Sequence, residues 1–310
     1  MSCNQITLKK KVIFEGIGLH CGLPVKLIVY PANIDNKIYF LRSDIKNCKP
    51  IFCNWQNVIK SNLCTKISNK DKQAVSTIEH LMFSLYSLGI TNAILEINGP
   101  EVPIMDGSAK IFIEKFLEAG VVEQPKPFNQ IIIKKSIDVS SGDKFIKYEP
   151  NDKDNLEIDY SINYKDEFIK KQNFIIKNPQ KNFKEIYDCR TFCHQEDLEK
   201  IFAMGLAKGG SLENAIVICG NKILNQDGLR KKNEFVKHKI LDCLGDLFLS
   251  GFFMTGKITC SQGGHELTTN LLKKIYTNEA NFYIKSENEI KTKKFKKKNF
   301  LISSKNYVAL

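Results

Sequence analysis

The chain has 310 residues and a formal net charge of +12, with 43% hydrophobic and 26% charged residues. This length allows two domains of ordinary size, and the composition is typical of a soluble globular protein. No apolar run approaches the roughly 18 residues that a membrane span needs, and the first residues lack the apolar segment of a signal peptide. We therefore expect a cytoplasmic protein.

The cysteines and lysines bear on cofactors and partners. The ten cysteines include no CxxC pair, which favours reduced thiols over a disulfide framework or a cysteine zinc site. Residues 285–298 hold seven lysines and two glutamates, so this stretch alone contributes +5 to the net charge. We expect residues 287–310 to be a disordered and dispensable tail.

The N-terminal part of the chain is predicted to be a sheet with two helices. Apolar periodicity predicts, in chain order, strands over 6–14, 24–30 and 38–41, a helix over 76–88, a strand over 93–97 and a helix over 110–119. Gly89 is positioned to cap the first helix. The segment VVEQPKPFNQ, with Pro125 and Pro127, is typical of a linker, so we place a domain boundary near residue 126.

The C-terminal part repeats this order of elements. The predicted strands are 130–139, 144–149, 155–164, 168–176 and 215–219, followed by a helix over 232–254 and a last strand over 282–286. The sequence therefore predicts the α+β class, with one domain over 1–126 and a second over 127–286.

A helix over residues 234–246, EFVKHKILDCLGD, would carry three polar groups on one ridge. His238, Asp242 and Asp246 are spaced four residues apart. The apolar side of this helix would comprise Val236, Ile240, Leu241, Leu244 and Leu247. A His and an Asp one turn apart can hold a divalent metal, because their donor atoms can converge on one point. Short motifs also match by chance, so a solvated polar face is the alternative.

Three further segments could contribute to a site. Ser76 to Glu79 fits the capping box S-x-x-E, so Glu79 either bonds back to the Ser76 amide or belongs to a site together with His80. His265 follows two glycines in SQGGHELTTN, and a histidine on such a loop either exchanges protons or is inert. Residues 190–211 could line an apolar passage or form a surface helix and loop.

Seven motifs together carry a resemblance that none of them carries alone. They are GIGLHCG, STIEHLM, NGPEVPIMDGSA, DCRTFC, GLAKGGSLENAIV, EFVKHKILDCLGDL and GGHELTTNLL. Their order and separations resemble those of the bacterial UDP-3-O-acyl-N-acetylglucosamine deacetylases, the zinc amidases of lipid A biosynthesis. The resemblance runs from about Thr7 to about Asn281.

The resemblance implies two similar α+β domains, each a sheet layered against helices, with the active site at the domain interface. It implies one zinc ion per chain, with His80, His238 and Asp242 as ligands. Three protein ligands leave the fourth position for water, as a catalytic zinc requires.

The resemblance also implies roles for the neighbouring residues. Glu79 would be the general base, and the Thr191 hydroxyl would help to stabilise the oxyanion. His265 would act as the protonated partner near the departing amine, and Asp246 would orient it. The capping-box interpretation of Glu79 would then be wrong.

The implied substrate is a UDP-linked, 3-O-acylated glucosamine. Lys239 and Lys144 would lie near its nucleotide sugar and diphosphate. Residues 190–217 match the insert that forms a hydrophobic passage for the acyl chain. The implied passage walls are Leu19, Phe192, Gly210, Ala215 and Val217. Cys193 and His194 depart from the small and apolar residues of many relatives, which affects the expected acyl-length preference but not the zinc chemistry.

Two other functions stay open from the sequence. A basic nucleic-acid-binding protein would owe its RNA affinity to the lysine tail. An inactive, ligand-binding relative is the other alternative, although every residue assigned to chemistry is present. For the deacetylase we expect a monomer with no nucleic-acid partner, in transient contact with the inner membrane surface.

Overall fold

The computed structural model describes residues 4–285, which form the predicted α+β fold. The elements up to residue 127 are β1 (Asn4–Leu8), β2 (Val12–Ile17), β3 (Pro24–Pro31), β4 (Ile38–Arg42), β5 (Ile51–Phe52), β6 (Val58–Ile59), β7 (Lys66–Ser68), β8 (Ala74–Ser76), α1 (Glu79–Ser87), β9 (Ala93–Ile97), α2 (Lys110–Ala119) and β10 (Val121–Pro127). The later elements are β11 (Gln130–Ile133), β12 (Ile137–Ser141), β13 (Lys144–Glu149), β14 (Leu156–Asn163), β15 (Lys171–Lys177), β16 (Phe192–His194), α3 (Leu198–Ala203), β17 (Ile216–Cys219), β18 (Lys222–Ile223), α4 (Glu234–Phe248), β19 (Phe253–Ser261), α5 (His265–Tyr276) and β20 (Phe282–Lys285).

The first half of the chain is built around a five-stranded sheet. Its strand order is β2-β3-β9-β4-β5, and β4 runs parallel to β9 while the other neighbours are antiparallel. Strand β3 buries every second residue, Val25, Leu27 and Val29, as a sheet with one covered face requires. The strand predicted over 6–14 is in fact two strands, β1 and β2, separated by the lysines at 9–11.

Helix α1 is buried on every side. It begins at Glu79 rather than at residue 76, because Ser76 pairs with Lys66 in the small sheet β6-β7-β8. Its serine hydroxyls, Ser84 and Ser87, each donate to the carbonyl oxygen four residues earlier, so both are satisfied within the buried helix. As predicted, the helix ends before Gly89, whose φ is +72°.

Helix α4 is shorter than predicted. The last two residues of the predicted helix, Phe253 and Met254, belong to β19, because Gly251 adopts a φ of +78° and breaks the helix before them. Strand β19 is the centre of the second large sheet. It pairs in parallel with β11 and β14 and antiparallel with β13. A prediction that extends the helix to residue 254 therefore misses the strand that organises this half.

The predicted linker is a strand. Residues 121–127 form β10, which pairs antiparallel with β1, and the prolines are tolerated because β10 has one paired edge. The boundary near residue 126 therefore falls inside a strand and stays a prediction. Ser286 and the predicted tail over 287–310 lie outside the described residues.

The two halves meet where α1 packs against α4. At Gly245 the helices approach so closely that a Cβ atom would lie 2.1 Å from the carbonyl oxygen of Glu79. Glycine is the residue that allows this backbone contact. The buried apolar residues of both halves form one continuous core cluster, which includes Leu81 of α1 and Leu244 of α4.

Two expectations from composition can be compared with residues 4–285. Every cysteine in this range is a free thiol, in agreement with the prediction of reduced cysteines. In the same range no helix combines the length and apolar character that a membrane crossing needs.

Candidate active site

Three buried side chains from α1 and α4 converge on one point. The ligand atoms of His80, His238 and Asp242 all lie within 4.8 Å of one another. The Nε2 atoms of His80 and His238 lie 3.3 and 3.4 Å from Oδ1 of Asp242. The ridge on α4 is therefore not a solvated face, because His238, Asp242 and Asp246 are all buried.

The surroundings of His238 fix which of its ring nitrogens faces the cluster. Nδ1 of His238 lies 3.0 Å from the Cys189 carbonyl oxygen and donates its proton there, so Nε2 carries a lone pair. Burial lowers the pKa of His238 to about 3, which keeps the ring neutral. Lys239 Nζ donates to Oδ2 of Asp242 at 3.0 Å.

The other carboxylate oxygen of Asp242 lacks a hydrogen bond. Oδ1 is buried, and no described residue donates to it. Burial opposes the ionisation of Asp242, but the Lys239 ammonium beside it favours the carboxylate form. A buried carboxylate oxygen that accepts no hydrogen bond is costly unless a cation lies beside it. Two nitrogen donors and one carboxylate oxygen are a donor set that suits zinc.

Glu79 lies beside this cluster and does not form a capping box. Its Oε2 accepts the backbone N–H of Thr65 at 3.1 Å, while the Ser76 hydroxyl donates to the Pro100 carbonyl oxygen at 3.2 Å. The capping-box interpretation is wrong because Ser76 is held in β8. Burial raises the pKa of Glu79, although His265 and His80 oppose that shift.

His265 is the first residue of α5 and not part of a loop, because the extended Gly264 is the N-cap of that helix. Its Nδ1 lies 2.8 Å from Oδ2 of Asp246, and its Nε2 lies 3.8 Å from Oε1 of Glu79. Burial alone would lower the pKa of His265, but Asp246 and Glu79 outweigh burial and raise it to about 10. His265 is therefore protonated at neutral pH.

Thr65 contacts all three of these acid–base groups, and no motif in the sequence pointed to it. Its hydroxyl lies 2.5 Å from Oδ1 of Asp246 and 3.1 Å from Nδ1 of His265, and its backbone N–H donates to Glu79. The segment around it, SNLCTKISN, has no periodicity or spacing that signals chemistry.

A buried ion pair anchors the segment beside the cluster of His80, His238 and Asp242. Arg190 donates through Nε and through its backbone N–H to Oε1 of Glu234, both at 3.0 Å, and the two side chains are 2% and 0% exposed. Glu234 is the first residue of α4. The pair therefore fixes Cys189 and Thr191, on either side of Arg190, relative to His238. Arg190 and Glu234 lie in two of the seven motifs, DCRTFC and EFVKHKILDCLGDL, but neither motif indicates that they form an ion pair.

A cavity of about 570 Å³ opens beside the acid–base groups. Of the predicted site residues, it is lined by Leu19, Thr191, Phe192, Gly210, Ala215, Val217, Lys239 and His265. Lys144 is not among the described residues of the lining and lies exposed at the tip of the β12–β13 hairpin. Residues 190–217, the insert, contribute most of the wall through strands β16 and β17, helix α3 and the segment that joins α3 to β17.

The rim of the cavity is closed by contacts between the GIGLHCG loop and the Gly-Gly turn of the insert. The Gly209 N–H donates to the Leu19 carbonyl oxygen at 3.0 Å, and a Cβ on Gly209 would lie 2.4 Å from the carbonyl oxygen of Gly18. Glu101 of the NGPEVP turn holds the loop by accepting the backbone N–H groups of His20 and Cys21. Glu101 is a second residue that sequence patterns did not single out.

The family model and the relatives that match this chain all carry the name of one deacetylase family. The family model for LpxC, UDP-3-O-acyl N-acetylglycosamine deacetylase, matches residues 5–277. The UDP-3-O-acyl-N-acetylglucosamine deacetylase of Campylobacter fetus is 40% identical over 297 residues, which are 94% of this chain and 98% of that protein. The protein of the same name from Haemophilus ducreyi is 41% identical over 89% of this chain and 90% of its own length. The one from Brucella melitensis is 38% identical over 92% of this chain and 99% of its own length.

Proposed function

Since the chain belongs to the UDP-3-O-acyl N-acetylglycosamine deacetylase family, we propose that it is a zinc-dependent amidase that releases acetate from a UDP-linked, 3-O-acylated N-acetylglucosamine. The reaction would be the committed step of lipid A biosynthesis. We also propose that residues 1–126 and 127–286 are its two domains, and that the site lies between them.

One observation carries the proposal. One ring nitrogen from each of two imidazoles and an unsatisfied carboxylate oxygen converge in a buried place, with His80 on α1 and His238 and Asp242 on α4. These three side chains would hold the zinc ion. When bound, zinc supplies Lewis acidity that polarises a carbonyl group and makes water a better nucleophile at neutral pH.

Two groups beside the cluster would move protons. Glu79 would take the proton of the attacking water, for which a carboxylate with a raised pKa is suited. His265 would give a proton from Nε2 to the departing amine, because its other nitrogen is engaged with Asp246. The two groups face each other across 3.8 Å, close enough to serve one reacting centre in succession.

Thr191 and Lys239 would interact with the negatively charged groups of the reacting substrate. The backbone N–H of Thr191 donates to the Gly107 carbonyl oxygen at 2.8 Å, and its carbonyl oxygen accepts the Ile216 N–H at 2.8 Å, so this position in the cavity wall is rigid. Its hydroxyl would then stabilise negative charge on the carbonyl oxygen. Lys239 holds Asp242 through its ammonium group and reaches the cavity, where we propose that it meets the diphosphate.

The cavity would bind the acyl chain. Its wall includes Phe192, Ala215 and Val217, and a buried chain gains roughly 0.8 kcal/mol per methylene. Leu63 and Phe202, also in the wall, are 55% and 53% exposed. We propose that these two exposed apolar side chains touch the inner membrane surface during substrate uptake.

The proposal is tested by removal of the metal and of the base. A zinc chelator should stop acetate release, and added zinc should restore it. Glu79→Ala should abolish turnover while the metal stays bound, because Glu79 is not among the three converging ligands. Full activity of Glu79→Ala would contradict the role given to this residue.

A further inference from the structure

We infer that Thr65 is a positioning residue that fixes the general base and the protonated histidine of this site relative to each other. The inference rests on the proposed function, because it assigns Thr65 a task in that reaction. Thr65 is 1% exposed and is not among the described residues that line the cavity, so we assign it a positioning role and not a catalytic one.

The hydroxyl of Thr65 completes the hydrogen bonding of Asp246. Asp246 is 1% exposed and has two oxygens to satisfy. Oδ2 accepts the Nδ1 proton of His265 at 2.8 Å, and Oδ1 accepts the Thr65 hydroxyl proton at 2.5 Å. With its single proton directed to Asp246, the Thr65 oxygen can only accept from Nδ1 of His265, which lies 3.1 Å away.

This arrangement sets which nitrogen of His265 faces the reaction. Nδ1 is flanked by two acceptors, the Asp246 carboxylate and the Thr65 oxygen, so it carries a proton. The ring plane is fixed by both contacts, and Nε2 is left to point toward Oε1 of Glu79. A carboxylate alone would hold the nitrogen but would leave the ring freer to tilt about that bond.

The backbone of the same residue fixes the base. The Thr65 N–H donates to Oε2 of Glu79 at 3.1 Å, which leaves Oε1 as the oxygen nearer His265. The Thr65 carbonyl oxygen also accepts the N–H of Ile78, the residue before Glu79, at 3.5 Å. One residue thus contacts groups that are carried by three helices, α1, α4 and α5.

The side-chain and backbone contacts can be separated by substitution. Thr65→Val keeps the shape and the N–H and removes the hydroxyl, whereas Thr65→Ser keeps the hydroxyl. A buried threonine with a purely structural role would lower stability in both variants without a selective effect on turnover. Outer hydrogen-bond partners of metal ligands typically change activity by about 10–100-fold when they are removed, and we expect an effect of the same size for Thr65.

The experiment compares zinc-loaded wild type, Thr65→Val and Thr65→Ser by kcat, KM, metal content and thermal unfolding. We expect kcat of Thr65→Val to fall about 10–100-fold with little change in KM or metal content, and Thr65→Ser to recover most of it. The control is Thr7→Val. Thr7 lies in β1, and its buried hydroxyl donates to the Asn92 carbonyl oxygen, so its removal should leave kcat unchanged.

Two results would overturn the inference. One is a folded Thr65→Val that keeps wild-type kcat, and the other is a Thr65→Ser that is as slow as Thr65→Val. If Thr65→Val does not fold, Thr65→Ala takes its place with the same expectations. A wild type that releases no acetate with zinc bound would refute the proposed function itself, whereas an active wild type with an unaffected valine variant refutes only the role of Thr65.

Discussion

Replacement of Gly245 by alanine tests whether the contact between α1 and α4 sets the metal geometry. The added Cβ would lie 2.1 Å from the Glu79 carbonyl oxygen and 2.9 Å from its carbonyl carbon. Ordinary contacts begin near about 3.5 Å, so the helices must separate by roughly 1.4 Å. Metal sites keep their ligand distances within about 0.2 Å, and His80 follows Glu79 directly in α1. The displacement is therefore several times larger than the change in ligand distance that a zinc site at His80, His238 and Asp242 would tolerate.

Gly245→Ala should also change the stability of the folded protein, through two opposing effects. Alanine in the middle of a helix is favoured over glycine by about 1 kcal/mol, so propensity alone predicts a more stable protein. Overpacking costs about 1–3 kcal/mol, so we expect Gly245→Ala to be less stable or unchanged. We also expect it to lose most of its bound zinc and its acetate release, measured by metal analysis and product assay.

A control separates lost stability from lost geometry. Gly220→Ala adds a methyl group where nothing lies within 4 Å, at a φ of +56° that alanine adopts at a cost. It should lose some stability and keep its zinc and activity. A Gly245→Ala protein that binds one zinc per chain and turns over at the wild-type rate would show that this helix contact does not set the metal geometry.

Two further predictions concern protonation and chain length. The pKa of His265 in the folded state is about 10, above the roughly 6.5 of an unfolded histidine, so its stabilising contribution is complete below that lower value and is lost as pH rises through about 10. Thermal unfolding should show this loss, and the loss should shrink in Asp246→Asn; an identical pH dependence would contradict the assignment. Val217→Phe should reduce kcat/KM more for long than for short acyl chains, because the added volume fills the passage wall; an equal reduction for all chain lengths would show that Val217 does not line the chain.

The sequence predicts the site residues that share a helix better than those that meet across the fold. The ridge of His238, Asp242 and Asp246 follows from helical spacing, and its burial agrees with the apolar residues around it. The contact of that ridge with His80 depends on how α1 and α4 pack, which local spacing does not encode. There the resemblance of seven motifs supplied the ligand set.

The errors have physical causes that are visible in particular elements. Phe253 and Met254 fit the end of a buried helix and the start of a buried strand equally well, so the predicted helix includes the first two residues of β19. The S-x-x-E pattern suggested a cap, but strand pairing of Ser76 overrides that local preference. Thr65 and Glu101 act through contacts with residues far away in the chain, and a single threonine or glutamate carries no local signal for such contacts.

The central claim is that His80, His238 and Asp242 hold the one zinc ion on which acetate release depends. The most direct measurement is the zinc content and acetate release of the wild type and of Asp242→Asn, assayed side by side on a UDP-linked, 3-O-acylated N-acetylglucosamine. We predict one zinc per chain and metal-dependent acetate release for the wild type, and loss of both for Asp242→Asn. Undiminished acetate release from metal-free wild type would contradict the account.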